Sequence, residues 1–485
     1  MNRELKRVSG VVLLMFLALF VSTTAIQVFQ ADNLRQDDRN RRALLESYST
    51  ERGQILVDGQ AIAQSQPAED QYKFQRTYAA GDLYSAVTGY FTLGQGSSGL
   101  EDALNNELSG TANTQFLDGI NRLITGQDPK GASVELTIDP AAQQAAFDAL
   151  GNNSGAVVAI APKTGAILAM VSKRSYDPNL LAVHDPDQVL SAYRSLESDP
   201  AEPLQNRAIA GDLNPPGSVF KLVVTAAALE SGEYTPDSTF PNPPTFTLPG
   251  TESVVTNSGE GACGSQETVT LSDALRLSCN IPFSELGISM GDGTIRDMAE
   301  QFGFNQSVDV PMASTPSVYP TDDLGDAETA LTAFGQQNVR ATPLQIAMVS
   351  AGIANGGDVM RPTLVESVLA PDLREIRGLD PSVFGSPIGE DTAATLTQLM
   401  VNNVENGVAS NARIGGVSVA GKTGTAENGT GEPYSLWFTG FAPADDPEVA
   451  VAVVVENGGG QGQSGRGNTL AAPIAKRVLE AVLNK

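Results

Sequence analysis

Ser218 and Lys221 stand three positions apart at the head of an apolar run, in Asn214-Pro215-Pro216-Gly217-Ser218-Val219-Phe220-Lys221 followed by Leu222-Val223-Val224-Thr225-Ala226-Ala227-Ala228-Leu229-Glu230. Pro215, Pro216 and Gly217 make a stiff turn that cannot be helix interior, and the run up to Ser231-Gly232 predicts a buried helix with a glycine stop. Ser218 then sits at the helix N-terminus, with Lys221 on the same face one turn further along, within reach of the serine hydroxyl. Burial and nearby positive charge lower a lysine's pKa, so the free amine can take the serine proton, while helix N-terminal amides favour the oxyanion formed after attack. That chemistry is acyl transfer. The same residues also fit an N-cap serine beside an unrelated, snorkelling lysine, and two downstream groups bear on the choice.

Ser278-Cys279-Asn280 places a hydroxyl and a carboxamide two residues apart at a helix end or turn, suited to relaying a proton and holding a substrate amide. Alone, such a pair usually just satisfies local backbone. Lys422-Thr423-Gly424-Thr425 follows Val417 to Gly421, which alternates like a strand. There Gly424 leaves room for a ligand backbone, and Lys422 with the two threonine hydroxyls suits a carboxylate. In this order the three groups resemble the active site of the penicillin-binding proteins and serine β-lactamases. Gly155 to Ile160, Lys163 to Ser172, Ser175 to Asn179, Leu204 to Ala208 and Trp437 to Pro443 are similar to further stretches of a transpeptidase domain, so the likeness runs from residue 131 to 485. One departure is Gly335-Gln336-Gln337, where relatives have Gly-Gln-Gly; the Thr342-Pro343-Leu344-Gln345 after it fits, which marks a turn variant.

Behind these groups stands a 485-residue chain of net charge −26, a balance that argues against a nucleic-acid partner. One histidine, His184, and two cysteines leave no set for a zinc site or a Ser-His-Asp triad, and no metal or other cofactor is expected. The chemistry falls to Ser, Lys, carboxylates and amides. Arg3, Lys6 and Arg7 precede an uncharged stretch from Val8 to Ala31, long enough to span a bilayer and longer than the apolar core of a cleaved signal. An uncleaved single-pass anchor is expected, N-terminus in the cytoplasm, although Arg35, Arg39, Arg41 and Arg42 reduce the charge asymmetry.

The expected organisation is a cytoplasmic tail (1–7), an anchor (8–29), a small β-rich pedestal (30–130) and a catalytic domain (131–485). Asp32 to Glu46 predicts a helical stalk, Thr50 to Ala63 two short strands around Asp58-Gly59, and Leu100 to Leu108 a helix. Arg52-Gly53-Gln54-Ile55 resembles the opening of a class B penicillin-binding protein pedestal. In the catalytic domain, Ser133 to Ile138 reads as a strand and Pro140 to Leu150 as a helix; strands at 156–161 and 166–171 are joined by Pro162-Lys163-Thr164-Gly165. Strands at 436–442 and 448–456, read as alternating, precede a closing amphipathic helix over 470–483 with Pro473 in its first turn. The segments 184–204, 232–268 and 456–468 read as loops, the last as a mobile connection. The fold class is α+β (mixed α/β): a penicillin-binding/β-lactamase-like transpeptidase domain with a central antiparallel sheet flanked by helices.

What the resemblance implies is a monofunctional class B penicillin-binding protein, a D,D-transpeptidase of peptidoglycan stem peptides that β-lactams acylate. The small pedestal and the cysteine pair are similar to the actinobacterial penicillin-binding protein A type. By that likeness Ser218 attacks the D-Ala-D-Ala bond, Lys221 takes its proton, Ser278 protonates the leaving amine and Asn280 holds the acyl chain. Lys422, Thr423 and Thr425 bind the terminal carboxylate, and the amides of Ser218 and Thr425 form the oxyanion hole. A SEDS-family glycan polymerase and other cell-wall or division proteins are the expected protein partners. The motifs alone fit a carboxypeptidase or β-lactamase equally well, and a scaffold that activates a glycan polymerase is a reading of another class. Cys263 and Cys279, on the oxidising side of the membrane, are expected to be bridged, stabilising by roughly 3 kcal/mol if unstrained. The alternative is two small buried residues.

Overall fold

The computed structural model describes residues 2–26, 48–112, 130–258 and 261–484. The helix Asn2–Thr24 is long and apolar enough to cross a membrane, and no part of it is buried. The expected stalk over 32–46 lies outside the described residues, as does the end of the expected anchor.

A six-stranded sheet underlies the pedestal. Ile55–Val57 and Gln60–Pro67 form the expected antiparallel hairpin, with Asp58 at a φ of 49° in its turn. Phe74–Tyr78 extends it on one side. On the other side comes Ser133–Leu136, parallel to Ile55–Val57, and then Val365–Leu369 and Glu375–Gly378. The strand Ser133–Leu136, which opens the catalytic domain in the sequence reading, thus lies inside the pedestal sheet, and residues 365–378 return to it from the far end of the chain. Pedestal and catalytic region share hydrogen-bonded backbone. Leu100 to Leu108 is two short helices, Gly99–Ala103 and Asn105–Ser109.

The catalytic sheet has five strands, all antiparallel, in the order Ala420–Ala426, Ser435–Ala442, Val449–Val455, Gly155–Ile160, Ile167–Lys173. Pro140–Leu150 and Gly467–Leu483 pack on one face and Pro343–Ala354 on the other. Covering both faces explains why every residue of Val449–Val455 and Ser435–Ala442 is buried, where the sequence reading expected alternation. The closing helix starts at Gly467, because the amides of Thr469 and Leu470 already bond to the Arg466 carbonyl. Pro473 therefore falls in the second turn instead of the first.

All three expected loops hold more structure than read: 232–268 carries the short strands Thr239–Pro241, Thr245–Thr247 and Val254–Thr256, the last two paired antiparallel. Within 184–204 lies the helix Pro186–Glu197, begun by Asp185, which accepts from Asp187 N and Gln188 N, and by Pro186 at the first helical position. Val189 is buried, and Ala192, Tyr193 and Leu196 pack against Tyr90, Tyr176 and Leu181. The segment after Val455 is two single turns anchored by Gly458 N to Tyr434 O and Gln463 Nε2 to Glu432 O, so it is a bound connection.

Candidate active site

Gly217–Val219 is a single tight turn, and Lys221–Glu230 is the helix that follows it. The turn is locked from two sides. Gly217, at a φ of 54°, donates its N–H to Gly335 O at 2.9 Å, and a Cβ on Gly335 would lie 2.2 Å from the Gly217 carbonyl oxygen. Only glycines allow that approach. On the other side the Trp437 indole donates to Pro215 O at 2.9 Å. The space a Gly424 side chain would fill is taken by Pro216 O and the Val219 side chain, so the glycine of the Lys-Thr-Gly strand admits the nucleophile turn; the sequence reading had kept that room for a ligand.

Lys221 is wholly buried, beside the Phe283 and Phe334 rings. Burial, and then the charge of Lys422, hold its amine well below the ordinary lysine range. Its Nζ donates to the Ser278 carbonyl and to Asn280 Oδ1, each at 2.9 Å. A neutral amine has two N–H groups and one lone pair; with both hydrogens committed to oxygens, the lone pair is what remains for an incoming proton. Among the described residues no hydrogen bond joins this amine to Ser218, the contact the spacing predicts; such contacts commonly tighten only with substrate bound.

Ser278 sits just before the helix Ile281–Met290 at a φ of 59°, a left-handed conformation costly for a non-glycine residue. Its hydroxyl accepts from Lys422 Nζ at 2.7 Å, and Lys422 also donates to the Thr423 carbonyl at 2.9 Å. Lys422 is fully buried, which brings its pKa down to about 7. Strand alternation sends Lys422 and Gly424 to the face of the nucleophile turn and Thr423 and Thr425 to the other, where Thr425 Oγ1 accepts from Gly467 N at 3.2 Å. The sequence reading grouped Lys422 with the threonines; a buried amine needs oxygen partners, and here they are Ser278 and the backbone.

Asn280 is engaged at both ends, its Oδ1 accepting from Lys221 and its Nδ2 donating to Thr256 O at 3.0 Å. Cys263 and Cys279 form the expected disulfide, with Cα atoms 5.8 Å apart, tying the 261–264 segment to this turn. Sequence reasoning missed Asn257, buried, whose Oδ1 accepts from Asn280 N at 2.8 Å and Ile281 N at 3.1 Å. Nothing in the linear pattern marks it; an asparagine followed by Ser-Gly reads as a turn.

Residues 155–480 match the penicillin binding protein transpeptidase domain, and residues 52–134 match the penicillin binding protein A dimerisation domain. The chain is 42% identical over 497 residues, covering 100% of both proteins, to the peptidoglycan D,D-transpeptidase PbpA of Mycolicibacterium smegmatis. It is likewise 42% identical to the protein of that name in Mycobacterium tuberculosis, over 100% of this chain and 99% of the relative. The solved ceftriaxone acyl-enzyme complex of penicillin-binding protein A from M. tuberculosis superposes with a TM-score of 0.87 at 42% identity, covering 90% of this chain and 100% of that one. A Pseudomonas aeruginosa PBP2 structure gives 0.73 at 29% identity over 90% and 96%. With both domains matched along its length and full-length relatives 42% identical, the chain belongs to the class B penicillin-binding protein transpeptidases.

Proposed function

We propose that the chain is a peptidoglycan D,D-transpeptidase working through an acyl-enzyme on Ser218. The observation that carries this reading is the setting of Lys221: buried, its amine held well below the ordinary lysine range by desolvation and then by the charge of Lys422, and donating to Ser278 O and Asn280 Oδ1. Ser218 Oγ attacks the carbonyl carbon of the donor D-Ala-D-Ala bond as its proton passes to Lys221 Nζ, and the amides of Ser218 and Thr425 receive the oxyanion. As the C–N bond breaks, the proton held on Lys221 Nζ passes through the Ser278 hydroxyl to the leaving D-Ala amine. A neighbouring stem's amine then attacks the ester carbonyl to form the cross-link, gives its proton to Lys221, and the C–O bond breaks as that proton returns to Ser218 Oγ. Thr423 and Thr425 offer hydroxyls to the donor's terminal carboxylate, with Lys422 charge acting on it through Ser278. Asn280 orients Lys221 and keeps one amide hydrogen for the acyl chain. A β-lactam presents the same carbonyl and carboxylate and stops at the ester.

The helix Asn2–Thr24 anchors the protein, with Arg3, Lys6 and Arg7 on the cytoplasmic side and residues from 30 onward outside. Residues 30–130 serve as pedestal and 131–485 as the transpeptidase domain, sharing the strand Ser133–Leu136. A SEDS-family glycan polymerase, docking through anchor and pedestal, is the protein partner this arrangement suits. Intact-protein mass after exposure to a β-lactam is the test: one adduct on wild type and none on Ser218→Ala is expected. An equal adduct on Ser218→Ala would overturn the nucleophile.

A further inference from the structure

Glu456 lies just past the end of the strand Val449–Val455, and its side chain is 17% exposed. One oxygen, Oε2, accepts from Arg207 Nε at 3.0 Å; the other, Oε1, accepts from Asn214 Nδ2 at 3.0 Å. Arg207 is itself held firmly. Its Nη1 donates to the Glu202 carbonyl at 3.1 Å, its Nη2 to the Ala201 carbonyl at 2.9 Å, and its amide to the Ser172 hydroxyl at 3.0 Å. The carboxylate therefore cannot swing away from Asn214 without unpairing a guanidinium whose side chain is only 8% exposed.

Asn214 is gripped at its other end too. Its Oδ1 accepts from the Ser435 hydroxyl at 2.6 Å, and Ser435 opens the strand that pairs with the Lys-Thr-Gly strand. The backbone of Asn214 bonds to Ala341 N at 2.9 Å. Between Asn214 and Ser218 lie only Pro215, Pro216 and Gly217, two of them with φ fixed by their rings. With so few free torsions, the place where Asn214 is pinned sets the place of the Ser218 hydroxyl.

We infer that Glu456 is a positioning residue for the acylation step, acting on Ser218 through the Asn214 side chain; this rests on Ser218 being the nucleophile. It touches no substrate. Its work is to hold the entry to the nucleophile turn against the end of the catalytic sheet, so that the serine oxygen meets the donor carbonyl in line. Among the described residues its side chain bonds Arg207 and Asn214 and none of the groups given to substrate recognition, so recognition is unaffected by it.

The test uses the full chain in detergent micelles and a reporter penicillin, resolving the non-covalent dissociation constant from the acylation rate constant, with thermal melts alongside. Misplacing a reacting atom by about 1 Å costs on the order of 10²-fold, so Glu456→Ala is expected to lower the acylation rate constant about 10- to 100-fold and leave the dissociation constant within about 3-fold. Glu456→Gln, which keeps an oxygen for Asn214, recovers most of that rate. Asn214→Ala gives the same kind of loss, and the double variant is no slower than the slower single one, as two members of one linkage require. Wild-type rates in folded Glu456→Ala or Asn214→Ala, losses that multiply in the double variant, or a loss confined to the dissociation constant would each overturn the inference. Should Glu456→Ala not fold, Asn214→Ala and Glu456→Gln decide alone. Loss of the adduct in Ser218→Ala, read in the same assay, reports on the nucleophile separately.

Discussion

Glu101 in the pedestal and Lys221 in the catalytic region are both ionisable side chains with no exposed surface, yet their surroundings are opposite. Glu101 is enclosed by charge partners: Arg52 Nε at 2.5 Å, Arg76 Nε at 2.6 Å and the Tyr78 hydroxyl at 3.2 Å, with a further Arg52 bond to its own carbonyl. Burial pushes its carboxyl up, but Arg76 and Arg52 outweigh that and hold it below the usual carboxylate range. Among the described residues Lys221 has no carboxylate partner; it has neutral oxygens, two phenyl rings and a second buried lysine. One cluster favours the deprotonated carboxylate and ties Arg52, at the pedestal's first segment, to Arg76 on its third strand. The other keeps a proton cheap to add and remove. A buried charge with full counter-charge is a fastening, and a buried amine without one is a base.

The largest expected effect tests the second half of that statement. Lys221→Arg puts a group that never deprotonates where a neutral amine is required, so its β-lactam acylation rate is expected to fall roughly 10³–10⁴-fold, nearly as far as Lys221→Ala. Substantial acylation by the arginine variant would place the base elsewhere. The next effect tests the first half. Glu101→Gln keeps the shape but leaves two buried guanidinium groups uncompensated, and is expected to cost about 3–5 kcal/mol in denaturant unfolding. Acylation of the protein that remains folded should be unchanged; an equal loss of acylation rate would show that the pedestal cluster also serves the chemistry.

A smaller effect separates the clusters by pH. Glu101 has a depressed carboxyl, so its contribution is complete above its unfolded pKa of about 4.3 and is lost as pH falls through its folded value. Lys422 is the reverse case. Its pKa drops to about 7 on folding from about 10.4 unfolded, so burying its charge destabilises at and below pH 7 and the penalty fades as pH rises towards 10. The stability difference between Lys422→Met and wild type should therefore move towards wild type by on the order of a few kcal/mol between about pH 7 and 10. Glu101→Gln should converge on wild type only on the acid side. Parallel alkaline profiles for Lys422→Met and wild type would mean that Lys422 stays charged throughout.

The two clusters were also unequally legible from the sequence. Lys221, Ser278 and Lys422 announce themselves because each sits in a short stretch where a hydroxyl, an amine and a glycine turn fall together. Glu101 lies in Ser98-Gly99-Leu100-Glu101, which the sequence marks as pedestal and no more, since its partners Arg52 and Arg76 stand 49 and 25 positions away. Pairing across such distances follows from tertiary closure, which periodicity does not report. The helix Pro186–Glu197 is a different kind of miss: its Asp185-Pro186 start and its Val189, Tyr193, Leu196 stripe were present, but the polar residues around them were read as a loop. Glu456 was hidden by the glycines that follow it. Lys422 was placed correctly along the chain, while its partner was not, because the face on which a strand residue lands depends on which sheet face the helices cover.

The smallest expected effect asks whether the catalytic half also stores strain outside its charges. Gln337, where the family resemblance leads one to expect glycine, stands two residues after the Gly335 that locks the nucleophile turn, and its φ is 59°. Its side chain offers little in return: Nε2 reaches Glu328 Oε1 at 3.3 Å in an exposed bond. A left-handed conformation costs a residue bearing a Cβ about 1–2 kcal/mol, and glycine's greater freedom in the unfolded chain returns roughly 0.4–1 kcal/mol of that. Gln337→Gly is thus expected to raise unfolding stability by up to about 1 kcal/mol with no change in acylation rate. Gln337→Ala separates the causes, because it loses the Glu328 bond but keeps the Cβ. It should be no more stable than wild type; a gain equal to that of the glycine variant would assign the effect to the side chain instead of to φ. A faster acylation in Gln337→Gly would mean that the strain reaches Ser218 through Gly335, making this turn part of how the nucleophile is held.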